Sequence, residues 1–325
     1  MDERVVAMAQ QLADDVLFPA ALDTDRADVV AVELLDALAE AGLYGLAAPA
    51  SVGGLEGDFE TTCAVIEALA SGCLTTAFVW GQHLGAVHAI ADGGSPELQE
   101  RWLEPLARGT TRAGLALGGA LPQPTLHAVR NGADWLLSGR SPWLSGWGRI
   151  DVVHTAARDE DGRVVWLFVD AVSGPAFSVT SLELVAIQAS ATVRADFDRL
   201  LVPGDRLTSS YPYVDGPTPS EVLRIHAAFA LGIVRRCCLL LGPSSLDDER
   251  AAVRASLDDA DINASRAAAA ELGHRAAATL MVTEGSRTVL LDQHAQRLAR
   301  ESLFMLVYAL RPPVREALLT LLRRA

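Results

Sequence analysis

The hydrophobic period changes twice along this chain, and these two changes restrict the possible folds more than any other feature. In residues 1–108 apolar side chains recur at the helical spacing, for example in 32–41. In residues 110–207 the period is two, and the apolar run 164–169 is typical of a buried strand. The helical period then returns and continues to the last residue. The order helix, strand, helix predicts an α+β protein with several domains.

Turn and cap residues place the boundaries of these blocks. Gly42 ends the first clear helix, and Ser95-Pro96-Glu97 begins a later one with a cap and a first-turn proline. Further helices are predicted at 59–70 and 75–91, and an alternating strand at 191–197. A proline-rich linker at 211–219 precedes the last block.

We therefore predict three domains. They are an N-terminal helical domain at 1–110, a middle antiparallel β-barrel-like domain at 111–208, and a shortened C-terminal four-helix bundle at 209–325.

The charge of the chain restricts its partners. The formal net charge is −14, and all 27 basic residues are arginine. A nucleic-acid partner is not expected, because a phosphate backbone requires a positive field. One local group of arginines is still enough for a phosphate-bearing cofactor. The four cysteines show no Cys-x-x-Cys spacing, so we expect buried thiols and no metal site.

No apolar run approaches the roughly 20 residues that span a bilayer. The longest, 225–242, is interrupted by His226, Arg235 and Arg236. The N-terminus has no basic segment leading into an apolar one, as a secretory signal would. The expectation is a cytoplasmic protein without a membrane partner.

Five segments, taken together and in this order, resemble the acyl-CoA dehydrogenase superfamily. The chain is similar to a short, divergent, actinobacterial-type member of that family. The segments are 35–49 with Gly53-Gly54 and the Glu-Ala-Leu-Ala of 67–70, then 99–109, 139–146, 191–203 and 296–300.

The resemblance implies an acyl-CoA thioester as substrate, oxidised between its α and β carbons, with FAD as the electron acceptor. It places Trp143 beside the flavin ring and lets the Ser145 hydroxyl bond to it. Backbone amides of Leu115, Leu117 and Gly118 are expected to face the flavin as well. The alternative is that Trp143 is a core residue and Ser145 part of a turn.

The chain departs from the family pattern in its flavin-binding loops. The family's Thr-Glu-Pro loop is replaced here by Gly-Gly-Ala-Leu-Pro at 118–122, and its Arg-x-x-Phe-Gly segment has no counterpart. Arg287 lies where the family has a glycine-rich loop that reaches the FAD of a neighbouring subunit. A solvated loop arginine explains Arg287 equally well.

The catalytic base is the least regular feature. In many relatives it is the glutamate of a Tyr-Glu-Gly-Thr turn that follows an Arg-Asp pair. Here Arg300-Glu301 stands for that pair and the turn reads Tyr308-Ala309-Leu310-Arg311, so the glutamate position is Ala309, which cannot accept a proton. Other relatives carry the base at the start of the first C-terminal helix, where Glu221 lies one residue out of register. Glu221 is also an ordinary helix-start carboxylate. His83 faces either the acyl cavity or another helix.

Three functions remain open. The chain is an acyl-CoA dehydrogenase with Glu221 as base, a non-catalytic subunit paired with a paralogous dehydrogenase, or a flavin monooxygenase-type relative. The bundle helices at 222–241 and 303–322 are apolar on more than one face, so we expect a homo-oligomer or a hetero-oligomer.

Overall fold

The computed structural model describes residues 1–258 and 261–323. Seven helices form the N-terminal block, and the expected stop at Gly42 and cap at Ser95 are confirmed. The helices are α1 (Glu3–Leu12), α2 (Phe18–Arg26), α3 (Val32–Glu40), α4 (Phe59–Gly72), α5 (Leu74–Gly93), α6 (Pro96–Leu98) and α7 (Glu104–Ala107).

A π-helical segment, Ala13–Leu17, joins α1 to α2 into one continuous helix. The buried residues recur every four positions, at Val5, Ala9, Ala13, Leu17 and Ala21. Each such step exceeds one α-helical turn by about 40°. The wider π turn compensates this drift, so one face stays against α4. By length and composition this helix could cross a membrane, but here it packs on the protein.

The middle block is one eight-stranded sheet. Its path runs β6-β7-β3-β2-β4-β5-β8, and β1 pairs with β4. The strands are β1 (Ala113–Ala116), β2 (Leu126–Asn131), β3 (Asp134–Leu144), β4 (Val152–Arg158), β5 (Arg163–Asp170), β6 (Phe177–Ser181), β7 (Val193–Val202) and β8 (Leu207–Pro212).

The sheet is mixed, which corrects the antiparallel expectation. β4 is parallel to both β1 and β2, while the remaining pairs are antiparallel. The β2–β3 hairpin lies between β1 and β4 in sequence, so the chain comes back to run beside β1 in the same direction. The division at residues 110 and 208 stays a prediction, and β8 continues to Pro212.

The C-terminal block is helical, and its second helix is short. α9 has 12 residues, whereas α8 has 22 and α10 has 23. The helices are α8 (Ser220–Leu241), α9 (Ser245–Ser256), α10 (Ile262–Glu284), α11 (His294–Val307) and α12 (Pro312–Leu322).

Helix α8 packs closely on α4 because Gly232 has no side chain at the crossing. A Cβ at this position would lie 2.6 Å from the Ala70 Cβ and 2.7 Å from the backbone carbonyl oxygen of Glu67. Bulkier residues would force the two helices apart.

Arginines of the C-terminal block pair with acidic residues of the N-terminal block, and we call these pairs the arginine clamp. Arg236 illustrates it: its Nη2 is 2.5 Å from Asp14 Oδ1, and its Nε donates to the Ser71 carbonyl at 2.6 Å. The pairs are Arg224–Glu60, Arg236–Asp14, Arg250–Glu67, Arg254–Glu67 and Arg300–Asp25.

Glu67 is the most buried acid of the clamp, and two arginines reach it. Its carboxylate accepts from Arg250 Nη1 at 2.7 Å and from Arg254 Nε at 3.1 Å. Replacing Glu67 by Gln should lower the free energy of unfolding by about 2–3 kcal/mol, because two arginines lose their counter-charge.

Urea unfolding measures this change. The matched control is Glu249→Gln, because the Glu249 side chain is 41% exposed whereas that of Glu67 is 6% exposed, and it should cost less than about 1 kcal/mol. Equal losses in the two variants would contradict the role of Glu67.

His83 joins α5 to the start of the sheet. Its Nδ1 accepts the Ala113 amide at 3.0 Å, so its Nε2 carries the proton and donates to the Leu106 carbonyl at 3.0 Å. Burial lowers the pKa of His83 to about 3. The ring is therefore a neutral link between two blocks, and both of its nitrogens are occupied.

This link should make stability depend on pH. Between about pH 6 and 4 the unfolded chain protonates this histidine while the folded chain does not, so acidification favours unfolding. His83→Gln should reduce the slope of unfolding free energy against pH by about 1.4 kcal/mol per pH unit over that range. Urea titrations at several pH values measure it.

The exposed His88 is the control, since His88→Gln should leave the slope unchanged. An unchanged slope in the His83 variant would show that the buried ring titrates normally.

Candidate functional site

A β-bulge at the end of β3 exposes Trp143. Ser141 pairs with Ala195 and Leu144 with Val193, so three steps along β3 match two along β7. A bulge of this kind turns a side chain away from its regular direction. The Trp143 side chain is 60% exposed, which is unusual for an indole in a sheet.

The segment that begins with β1 runs beside this bulge. A Cβ on Gly114 would lie 3.2 Å from the backbone carbonyl oxygen of Ser145. A Cβ on Gly118 would lie 2.5 Å from the backbone carbonyl oxygen of Arg140. The structure therefore places the segment with Leu115, Leu117 and Gly118 beside the end of β3, which carries Trp143 and Ser145. We call this set the Trp143 edge: Leu115, Leu117, Gly118, Trp143 and Ser145.

The members of the edge differ in what they offer a ligand. Trp143 and Leu117 are exposed, whereas Gly118 and Ser145 are buried. The Ser145 hydroxyl is 2.8 Å from that of Thr192, which is 2.7 Å from that of Ser190. Ser145 is thus already part of a chain of hydroxyl groups, and the open surface is apolar and aromatic.

The edge meets helix α5 immediately after β3. The Gly146 amide donates to the Ser190 carbonyl at 2.7 Å. A Cβ on Gly146 would be 3.4 Å from Val79 Cγ1. The exposed indole therefore lies close to the junction between the sheet and the helices.

The other predicted site residues lie on different elements. Glu221 is exposed in the first turn of α8, and its Oε2 accepts from the Ser220 hydroxyl at 3.1 Å. Arg287 is exposed in the turn between α10 and α11. Ala309 is exposed after α11, in a left-handed conformation with φ of 49°. These three residues therefore lie on elements other than those that form the Trp143 edge.

The Arg300-Glu301 pair has a packing role in α11. Arg300 belongs to the arginine clamp through Asp25. Glu301 is buried in the core, where its Oε1 accepts from Arg297 Nη1 at 2.7 Å. Burial of this ion pair requires both partners to remain together.

Four aromatic residues that we did not predict as site residues fill the interior between α5, α8 and α11. The Phe78 ring centroid lies 6.0 Å from that of Phe229, 5.3 Å from that of Phe304 and 5.2 Å from that of Tyr308. We call these four residues the aromatic cluster. In the sequence they look like ordinary apolar helix positions.

An open cleft of about 600 Å³ lies elsewhere, beside α3 and the loop before β4. Its arginines already have partners within the chain. Arg112 pairs with Asp36 at 2.5 Å, and Arg149 Nε donates to the Val30 carbonyl at 2.7 Å. Arg112 thus has a counter-charge, and Arg149 is held by the backbone carbonyls of Val30 and Gly148.

Comparison with known proteins identifies the N-terminal block. Residues 2–110 match the family described as "Acyl-CoA dehydrogenase, N-terminal domain". The chain is 27% identical over 207 residues to a 3-sulfinopropanoyl-CoA desulfinase of Paraburkholderia xenovorans, covering 61% of this chain and 53% of that protein. It is 26% identical over 210 residues to a probable acyl-CoA dehydrogenase of Mycobacterium leprae, covering 62% and 54%. The aligned region spans about half the length of these relatives.

Solved structures extend the likeness to the whole fold. A glutaryl-CoA dehydrogenase from Mycobacterium smegmatis in complex with FADH2 has a TM-score of 0.80 at 18% identity, covering 100% of this chain and 96% of that one. Butyryl-CoA dehydrogenase from Megasphaera elsdenii has a TM-score of 0.79 at 16% identity, covering 99% and 98%. The helical, mixed-sheet and helical blocks all match. Residues 2–110 therefore match the N-terminal domain of the acyl-CoA dehydrogenases, and the whole chain has the fold of these enzymes.

Proposed function

We propose that this chain is an acyl-CoA dehydrogenase-like flavoprotein, acting in the cytoplasm as one subunit of an oligomer. The assembly oxidises an acyl-CoA thioester between its α and β carbons. The match to the N-terminal domain family and the shared fold support the reaction class, and the exposed indole of Trp143 is the one observation in this chain that carries the proposal.

The Trp143 edge fits an isoalloxazine in shape and chemistry. A bulge directs a large aromatic side chain outward at the junction of sheet and helices, and a flat aromatic ligand would stack on it. When bound, FAD would supply the hydride acceptor. In the proposal Trp143 positions the ring, and the amides from Leu115 to Gly118 line its edge. Ser145 supports that edge through Thr192.

An oligomer would complete the site. Arg287, the candidate partner of the FAD diphosphate, lies at the end of the C-terminal bundle, apart from the Trp143 edge. Apolar side chains surround it, and Val282, Val289 and Leu291 are all exposed. Such a surface is typical of a subunit contact. A second copy or a paralogous dehydrogenase subunit would then bring its own Arg287 counterpart to this flavin.

A second candidate is a non-catalytic subunit of the same kind of assembly. Ala309 has no carboxylate, and the carboxylate of the exposed Glu221 already accepts a hydrogen bond from the Ser220 hydroxyl. Glu221 is the base candidate of this chain if it is catalytic, whereas in the second candidate the base belongs to the paralogous subunit.

Replacing Trp143 by Ala should weaken FAD binding about tenfold or more, because the stacking surface is lost. Purification followed by the visible spectrum and a fluorescence titration with FAD measures the effect. Trp143→Phe should retain most of the affinity. Tyr211→Ala removes another exposed aromatic ring and should leave the affinity unchanged. FAD bound equally by Trp143→Ala would contradict the proposed site.

Replacing Glu221 by Gln separates the two candidates. We expect anaerobic flavin reduction by acyl-CoA in the assembly to stay within about twofold, because Glu221 is exposed at a helix start. A loss of about 10²–10⁴-fold would identify Glu221 as the general base. Glu284→Gln, another exposed helix-end glutamate, is the matched control.

A further inference from the structure

We propose that the interior between α5, α8 and α11 is closed to an acyl chain in this subunit, so that the thioester is bound by another chain of the assembly. The inference rests on the proposed function. It is carried by the aromatic cluster of Phe78, Phe229, Phe304 and Tyr308.

The cluster is a continuous set of ring contacts across three helical elements. Phe78 on α5 contacts the other three rings, and Phe304 stacks on Tyr308 with centroids 5.2 Å apart. His226 on α8 adds an edge contact with Tyr308 at 4.8 Å. Edge and stacked contacts of this kind leave little space between rings.

Helix α5 has a glycine, Gly81, where it meets the cluster. A Cβ on Gly81 would lie 2.9 Å from Phe229 Cζ. The ring therefore occupies the volume next to α5 that a side chain or a ligand would otherwise take. Two open clefts, of about 600 and 210 Å³, are lined by residues outside the cluster.

The aromatic cluster lies next in sequence to Ala309, the position that the family resemblance associates with the catalytic base. Ala309 directly follows Tyr308 in the chain. Gln82 on α5 donates through its Nε2 to the Phe78 carbonyl at 3.2 Å.

A buried arginine holds the closing turn in place. Arg266 Nη2 donates to the Met305 carbonyl at 3.0 Å and to the Tyr308 carbonyl at 3.4 Å. These carbonyls end α11, where a cation complements the helix dipole. Moving Tyr308 outward would break these bonds and leave a buried guanidinium without acceptors.

The partner is therefore defined by what this chain lacks. It is a dehydrogenase subunit with an open interior between the equivalent helices and a carboxylate near the thioester α-carbon. This chain would contribute the Trp143 edge and its helical surfaces to the assembly.

Calorimetry on the full-length chain tests the closure with three probes: free CoA, butyryl-CoA and palmitoyl-CoA. An acyl chain that enters an apolar interior gains about fourfold in affinity for each buried methylene. We expect the three probes to bind equally or not at all. Palmitoyl-CoA bound at least tenfold more tightly than butyryl-CoA by the unmodified chain would overturn the proposal.

Variants that open the cluster give the complementary result. Phe229→Ala should make affinity depend on acyl length by tenfold or more, and Phe229→Leu is the milder change if the first does not fold. Phe168→Ala removes an equally buried ring from the sheet and should create no such dependence. Length-independent binding in every folded Phe229 variant would contradict the assignment of this interior.

The readout separates this inference from the proposed function. Calorimetry detects the thioester whether or not flavin is bound. A colourless chain that cannot be loaded with FAD would contradict the proposed function alone, whereas length-dependent binding would contradict the closure alone.

Discussion

The structure depends on the close packing of helix α4 inside the protein. α1 and its π-helical continuation cross it at Gly72, where a Cβ would lie 2.6 Å from the Ala13 oxygen, and α8 crosses it at Gly232. Because small residues bring the backbones together on both sides, the N-terminal and C-terminal helices form one core around α4. The arginine clamp then ties the two blocks together at the rim of that core. With Glu67 on α4 itself, the polar and apolar contacts hold the same helix.

Much of this architecture could be predicted from the sequence, because the spacing of apolar residues and the cap and turn residues determine structure locally. The helix before Gly42 and the helix starting after Ser95 lie where their caps predicted them. The fold class followed from the order of periods and from the five family-like segments. The parallel pairing of β4 could not be predicted, since strand neighbours are chosen by contacts distant in sequence.

In the candidate site, too, some features could be predicted from the sequence and others depend on contacts between distant residues. Leu115 and Trp143 could be placed together through the resemblance, but the bulge that exposes Trp143 depends on the register between β3 and β7. The aromatic cluster was missed because Phe78 and Phe229 have the spacing of ordinary core residues, and only the three-dimensional packing brings them together. The candidate site of this chain therefore combines an exposed indole on the sheet with packed aromatic rings in the helices.

A density map of the assembly loaded with FAD and an unreactive acyl-CoA analogue tests this account most directly. We expect the isoalloxazine on the indole of Trp143, the four rings of the aromatic cluster in mutual contact, and the acyl chain inside a different subunit. Flavin bound away from Trp143, or an acyl chain between α5 and α8 of this chain with Tyr308 displaced, would contradict it.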